Sequence, residues 1–140
     1  MMTCGDHQAR PMSDPCPFCE IVAGRASAQM VAEWEDAVAF RPLNAVTRDH
    51  TLVVPRMHVP DFASDPEVSA VTMRRAAELM RGTSRPINLI TSRGAAATQS
   101  VFHLHLHLVP RTEGDGLALP WRDPVRVRGW RGPAKPLRPA

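Results

Sequence analysis

The sequence predicts an α+β domain, an antiparallel sheet of about five strands covered by one long and one short helix. Short strand patterns follow one another directly along the chain, which favours antiparallel pairing, and a single long helical pattern interrupts them. At 140 residues, with 44% hydrophobic and 22% charged residues, the chain has the length and composition of one globular domain. Because both ends are polar or proline-rich, we place this domain at residues 16–121.

The first three predicted elements are a short helix and two strands. The helix is predicted over Pro17–Ala23, because proline suits a first helical turn and Gly24 is a strong stop signal. Strand patterns follow over Gln29–Trp34 and Ala37–Arg41. The two residues between these strands, Glu35-Asp36, predict a hairpin turn.

A buried strand and the long helix come next. Thr51–Pro55 is an apolar, β-branched run, which is typical of a strand covered on both faces. Pro66–Arg81 carries a helical stripe of apolar residues, with Asp65 in the capping position and a proline in the first helical position. Met73 and Met80 lie in this helix and are expected in the core.

The last two strands are predicted over Ile87–Thr91 and Val101–Val109, and the second of them alternates strictly. Side chains two residues apart in a strand share a face, so His103, His105 and His107 are expected to line one face. The opposite, core-facing set consists of Phe102, Leu104, Leu106 and Leu108.

This row of three histidines has three interpretations: a strand edge facing water, a metal cluster, or a site where one histidine binds metal and another is the catalyst. The strict spacing makes the first the weakest. A Cys-x-x-Cys pair, Cys16 and Cys19, favours metal binding, and two thiolates need two more ligands to close a tetrahedral site. The candidate histidines are His7, His50, His58 and the row itself.

The two ends of the chain carry little structural signal. Residues 1–15 and the proline-rich residues 122–140 are predicted to be disordered. The net formal charge is +3, and residues 122–140 carry six basic side chains against one acidic one. Contact with nucleic acid is therefore expected only through this basic tail. No apolar run reaches the roughly 18–20 residues of a membrane span, and no secretory signal is evident, so a cytoplasmic location without membrane contact is predicted.

Four segments together resemble the histidine-triad (HIT) family of nucleotide hydrolases and transferases, in its bacterial zinc-binding branch. In order, they are Cys16–Gly24, Asp49–His58, Gln99–Val109, and Gly114–Gly116 with Trp121. The third segment carries the family's pattern of three histidines separated by apolar residues, preceded by Gln-Ser-Val. The resemblance spans about three quarters of the chain and implies a HIT-like fold and a homodimer.

The resemblance implies catalytic roles for residues of the third segment. His105 would attack the α-phosphorus of a nucleotide and form a covalent nucleotidyl-histidine, while the carbonyl of His103 holds its Nδ1–H. His107 and Ser100 would donate hydrogen bonds to phosphate oxygens. Gln99 would lie near the leaving group or the phosphate.

The resemblance also implies a structural zinc ion. In zinc-bearing members, the residues that match Cys16, Cys19, His58 and His103 bind the metal. Such a Cys₂His₂ set is closed, which leaves the nucleophile free of metal. His50 would be a supporting residue behind the catalytic histidines.

Departures from the family pattern concentrate in the expected nucleoside site. Pro42 stands where many members have an aspartate that holds the ribose hydroxyls, and Asn44 is the candidate substitute. In the phosphate loop, Ser92 replaces an asparagine before Gly94, and Thr98 replaces a glycine. We predict substrate binding by Ser92, Gly94, Asn44 and Thr98, with a shifted or relaxed nucleoside preference.

The predicted function is a nucleotide hydrolase or nucleotidyltransferase. Its substrates would be nucleoside phosphoramidates, nucleoside phosphosulfates or dinucleoside polyphosphates. The alternative is a catalytically slow HIT-fold module that binds a nucleotide or a partner. The complete histidine row favours the enzyme, whereas Pro42 and Ser92 favour the binding module.

Overall fold

The computed structural model describes residues 15–120 of the chain. The predictions for residues 1–14, Trp121 and the tail 122–140 lie outside these residues. Two α-helices and five strands are present, together with a short 3₁₀ turn over Ala95–Ala97. In chain order they are α1 (Pro17–Val22), β1 (Met30–Glu33), β2 (Ala37–Phe40), β3 (Thr51–Pro55), α2 (Pro66–Met80), β4 (Ile87–Ile90) and β5 (Leu106–Pro110).

The five strands form one antiparallel sheet in the order β1-β2-β3-β5-β4. The predicted α+β class, with one long and one short helix, is confirmed. Every residue of β2 and β3 is buried, as the apolar run over Thr51–Pro55 predicts. Among the described residues, no helix combines the length and apolar character that crossing a bilayer requires.

Each face of the sheet has its own core. On one face, α1 packs on alternate residues of the central strands, among them Val38, Phe40 and Leu52. On the other face, Ala39 and Val53 pack in the same cluster as residues of α2 and β5. This division follows from the period-two geometry of strands. The short helix α1 therefore sits on the face opposite α2.

The long helix begins where its sequence indicates. Asp65 caps α2, because its carboxylate accepts hydrogen bonds from the backbone N–H groups of Glu67 (3.0 Å) and Val68 (3.4 Å). Met80 is packed against the core, but the expectation for Met73 is wrong, since its side chain is 49% exposed. Met73 follows the buried Thr72 directly, and one helical step of about 100° turns it away from the sheet.

The predicted last strand is shorter than its sequence pattern suggests. β5 begins at Leu106, so the backbone of residues 101–105 lies outside the sheet. Its hydrogen bonds go elsewhere: the N–H of Leu104 donates to the carbonyl of Val59 (2.8 Å), and the Thr91 hydroxyl donates to the carbonyl of His105 (2.8 Å). Consequently His103 and His105 precede the strand, and only His107 belongs to it.

Candidate metal centre and histidine cleft

A cluster of two cysteine sulfurs and two imidazoles lies between α1 and the segment before β5. Its four ligand atoms, from Cys16, Cys19, His58 and His103, all lie within 4.8 Å of one another. The His58 Nδ1 is 3.2 Å from the Cys19 Sγ, and the His103 Nδ1 is 3.6 Å from the Cys16 Sγ. The two Nδ1 atoms are 3.0 Å apart. These four residues therefore lie close enough to bind a metal ion.

Four of the distances between these atoms, 3.0–3.6 Å, are close to those expected around a tetrahedral ion. Zinc bonds of about 2.3 Å to sulfur and about 2.0–2.1 Å to nitrogen place neighbouring ligand atoms roughly 3.3–3.8 Å apart. The second nitrogen of His103, Nε2, lies 2.9 Å from the carbonyl oxygen of Pro55. A hydrogen bond there puts the His103 proton on Nε2 and leaves Nδ1 as the ligand atom, a common arrangement around bound metals.

His105 is held in one tautomer by the backbone. Its Nδ1 lies 2.7 Å from the carbonyl oxygen of His103, so Nδ1 donates the proton and Nε2 carries the lone pair. The Phe18 ring contacts the imidazole edge-to-face, with 5.0 Å between centroids. Burial lowers the pKa of His105, against the effect of the backbone hydrogen bond. A neutral imidazole with a free Nε2 lone pair is a competent nucleophile.

His107 has the opposite tautomer, which a chain of contacts determines. The Val46 N–H donates to the Nδ1 of His50 (3.1 Å), so the His50 proton lies on Nε2. The His50 Nε2 lies 3.0 Å from the His107 Nδ1 and donates to it. His107 therefore keeps its own proton on Nε2 and can donate it to a substrate. The neighbouring His105 and His107 thus offer an acceptor and a donor, respectively.

The pH dependence of His107 provides a test of this arrangement. Burial, with smaller effects from His105 and His50, lowers the pKa of His107 to about 4 from an ordinary value of 6.5. We expect its Cε1–H resonance to stay unchanged between pH 8 and pH 5.5 in an NMR titration. The neutral form persists because protonation would place a charge in a poorly solvated site and disrupt the His50 contact. A midpoint near 6.5 would contradict the contact geometry.

The two histidines open into a cleft of about 860 Å³. Its lining includes hydroxyl-bearing residues and apolar side chains such as Phe18, Ile21 and Phe40. Four of the predicted catalytic and substrate-binding residues besides His105 and His107 reach this cleft: Asn44, Ser92, Thr98 and Ser100. A mainly apolar lining with a few polar groups is typical of pockets that bind small molecules.

The predicted residues Gln99 and Gly94 are not among the residues that line the cleft. Gln99 is buried, and its side chain connects backbone groups on both sides of the loop. Its Oε1 accepts from the Gly94 N–H (2.8 Å), while its Nε2 donates to the carbonyls of Pro60 (2.7 Å) and Val101 (3.1 Å). Gln99 thus supports the loop that presents Ser92 and Thr98 to the cleft.

Phe18 and Arg41 are cleft residues that the sequence analysis does not assign to the site. The Phe18 ring contacts His105 and lines the cleft. Arg41 also lines the cleft and donates to the Thr51 hydroxyl (2.7 Å). The charge of Arg41 adds to burial in lowering the pKa of His50. Neither residue has a sequence signal, because an isolated aromatic or basic residue predicts no particular contact.

Comparisons with known proteins match this sequence and this fold. The model of the HIT domain family matches residues 23–114. The "Protein hit" of Bacillus subtilis is 34% identical over 117 residues, which cover 79% of this chain and 81% of that protein. The crystal structure of a HIT family protein from Bacillus anthracis aligns with a TM-score of 0.65 and 36% identity, covering 81% of this chain and 85% of that one.

A relative with a named activity is more distant. The adenylylsulfatase HINT3 of Arabidopsis thaliana is 28% identical over 119 residues, covering 81% of this chain and 60% of that protein. The family match confirms the resemblance inferred from four sequence segments. The branch with a Cys-x-x-Cys zinc site is consistent with the cluster formed by Cys16, Cys19, His58 and His103. The chain belongs to the HIT family, with its nucleotide-binding hydrolase fold.

Proposed function

We propose that this protein is a nucleotide hydrolase or nucleotidyltransferase that forms a covalent nucleotidyl-histidine at His105. One observation carries the proposal: His105 and His107 face the same cleft with opposite tautomers. Phosphoryl transfer needs an in-line nucleophile and donors for the phosphate oxygens. The first histidine provides the lone pair, and the second provides an N–H.

The reaction has two steps. The Nε2 lone pair of His105 forms a bond to the α-phosphorus, while the bond from phosphorus to the leaving group breaks. The leaving group departs with the electron pair and takes a proton from water. Water or another acceptor then forms a bond to the phosphorus and loses its proton to solvent, while the bond between phosphorus and Nε2 breaks and releases neutral His105. His107 Nε2–H and the Ser100 hydroxyl donate to the phosphate oxygens throughout.

His50 and Gln99 support this reaction without touching the phosphate. His50 accepts a hydrogen bond from the Val46 N–H and donates one to the His107 Nδ1. It thereby keeps the proton of His107 on Nε2. Gln99 connects three backbone groups and so holds the loop before the histidines. Both are positioning residues.

The substrates are nucleotides with a leaving group on the α-phosphate. We propose nucleoside phosphoramidates, nucleoside phosphosulfates or dinucleoside polyphosphates. The named activity of the Arabidopsis relative, an adenylylsulfatase, supports the second class. The size of the cleft, about 860 Å³, is within the range of pockets that hold small-molecule ligands of this size.

The experiment that tests this function is a search for the covalent intermediate. The protein is mixed with a panel of nucleoside 5′-phosphoramidates, quenched within milliseconds, and its intact mass is measured. We expect an increase equal to one nucleotidyl group, located on His105 by peptide mapping. Absence of the adduct and of any turnover, from folded and metal-loaded protein, would contradict the enzyme and favour the nucleotide-binding module.

We propose zinc as the ion of the metal centre, in a structural role. Two thiolates and two imidazoles are a typical closed zinc set, and the four ligand atoms lie within 4.8 Å of one another. His103 connects this centre to the reaction, because its ring is a ligand and its carbonyl holds His105. Such a thiolate site suits a reducing compartment, and we propose a cytoplasmic location.

We also propose a homodimer. β4 is an edge strand of the sheet, and the side chains of Leu89 (39%) and Ile90 (37%) are partly exposed on it. On α2, Met73 is 49% exposed. Exposed apolar side chains on an unpaired edge commonly mark a protein interface. A single-chain mass in native mass spectrometry at micromolar concentration would contradict the dimer.

A further inference from the structure

One wall of the cleft is the segment 41–46, which follows β2 and leads to His50. Its start adjoins Phe40, whose ring packs on Phe18 with 5.5 Å between centroids. Its end is Val46, whose N–H binds His50. The segment therefore connects Phe40, part of the apolar lining, to His50 behind the histidine pair. A sugar that joins a base among the apolar side chains to a phosphate at the histidines would lie along this wall.

The side chains of this wall offer little to a ribose diol. Pro42, Leu43 and Val46 line the cleft and have no polar side-chain atoms, and a proline also lacks the backbone N–H. Asn44 contributes one exposed, neutral amide. Among the described residues that line the cleft, none is an aspartate or a glutamate.

The charged residues that flank this wall in the sequence, Arg41 and Asp49, contact each other. Arg41 donates to the Thr51 hydroxyl and to the backbone carbonyl of Asp49. The Asp49 carboxylate pairs with Arg85 at 3.0 Å and lies 3.6 Å from the guanidinium of Arg41. Asp49 has a φ of 68°, which fixes its backbone in the left-handed region. This carboxylate is therefore held in a salt-bridge network and does not line the cleft.

Proteins that select ribose often use a carboxylate to bind the 2′-hydroxyl. A site built around such a hydrogen bond strongly rejects the deoxy analogue, which lacks the hydroxyl. A site that lacks the carboxylate does not use this hydrogen bond to reject the deoxy analogue. We propose that this cleft accepts 2′-deoxyribonucleotidyl substrates about as well as ribonucleotidyl ones. The inference rests on the proposed function, because it concerns the sugar of the nucleotidyl group transferred to His105.

The test compares adenosine 5′-phosphoramidate with 2′-deoxyadenosine 5′-phosphoramidate, using the full chain loaded with metal. The ratio of the two kcat/KM values is measured, together with the amount of adduct trapped after rapid quench. We expect the ribo-to-deoxy ratio to stay below about fivefold, since no charged hydrogen bond is lost. A larger preference for the ribonucleotide would overturn the inference.

A substitution tests the same inference in the opposite direction, by adding the missing carboxylate. Pro42→Asp places a carboxylate on the wall, and we expect the ribo-to-deoxy ratio to rise to about tenfold or more. The matched control is Pro42→Asn. An asparagine side chain has nearly the same shape as an aspartate but no charge, so this variant should leave the ribo-to-deoxy ratio below about fivefold. An unchanged ratio in folded Pro42→Asp protein would overturn the placement of the sugar against this wall.

Failure of the proposed function remains distinguishable from failure of this inference. If neither phosphoramidate forms an adduct, the proposed catalysis is wrong. The affinities of adenosine and 2′-deoxyadenosine 5′-monophosphate, measured by calorimetry, then decide the inference separately. Similar affinities support it. A preference of about fivefold or more for the ribonucleotide, or binding of neither, overturns it.

Discussion

Replacement of His105 by alanine is expected to abolish turnover of nucleoside phosphoramidates. We expect kcat/KM to fall by roughly a thousandfold or more and the nucleotidyl adduct to disappear, because the variant lacks the only proposed nucleophile. The contact between the His105 Nδ1 and the His103 carbonyl, 2.7 Å, is what presents Nε2 to the cleft. Stopped-flow kinetics and intact mass spectrometry measure both effects.

Three controls separate lost chemistry from lost structure. His105→Ala should retain its metal, since this side chain is not among the four clustered ligands. Its melting temperature should stay near that of the wild type, because the ring is only partly buried. Added imidazole should restore part of the turnover by occupying the vacated space. Full activity in the variant would contradict a covalent step at His105.

Replacement of His58 by alanine is expected to release the metal and destabilise the fold. His58 is buried, and its Nδ1 lies 3.2 Å from the Cys19 Sγ and 3.0 Å from the His103 Nδ1. Removal leaves two thiolates and one imidazole without their shared cation. We expect the free energy of unfolding to fall by about 3 kcal/mol or more, which is typical when one partner of a buried charge cluster is removed.

His50→Ala is the matched control, because His50 is also a buried histidine next to β3, but at the other end of that strand. Native mass spectrometry should find one metal ion per chain in His50→Ala and none in His58→Ala. Thiol titration should find Cys16 and Cys19 reactive only in the second variant. His58→Ala protein with full metal content and an unchanged melting temperature would contradict the metal centre.

Much of the fold is predictable because local sequence patterns agree with the tertiary contacts. The proline start of α1, the Asp65 cap of α2 and the buried run of β3 each occur where the sequence indicates. The predictions that fail concern positions where tertiary packing, and not the local sequence pattern, decides burial or strand pairing. Met73 continues an apolar pattern but faces away from the core, and residues 101–105 have strand-like alternation without a neighbouring strand to pair with.

The candidate site divides in the same way. Residue types and spacing, read through the resemblance to the HIT family, single out two cysteines and five histidines. The roles assigned to them remain predictions for the experiments above. For Gln99, the motif position predicts a place near the phosphate or the leaving group, and the structure adds contacts to three backbone groups that the motif does not indicate. A sequence motif identifies a side chain but not the contacts that it makes.

The sequence by itself determined the fold class, through periodicity and capping, and it indicated the family and the candidate site residues, through motif spacing. Only the tertiary structure decided which nitrogen of His50 and of His107 carries the proton, because that choice depends on the backbone N–H of Val46, and a backbone group leaves no signal in a sequence pattern. For His105, the hydrogen bond to the His103 carbonyl that the resemblance implies is present in the structure. Cys16 and His103 are 87 residues apart in the chain, and only the folding of the sheet places their ligand atoms 3.6 Å from each other.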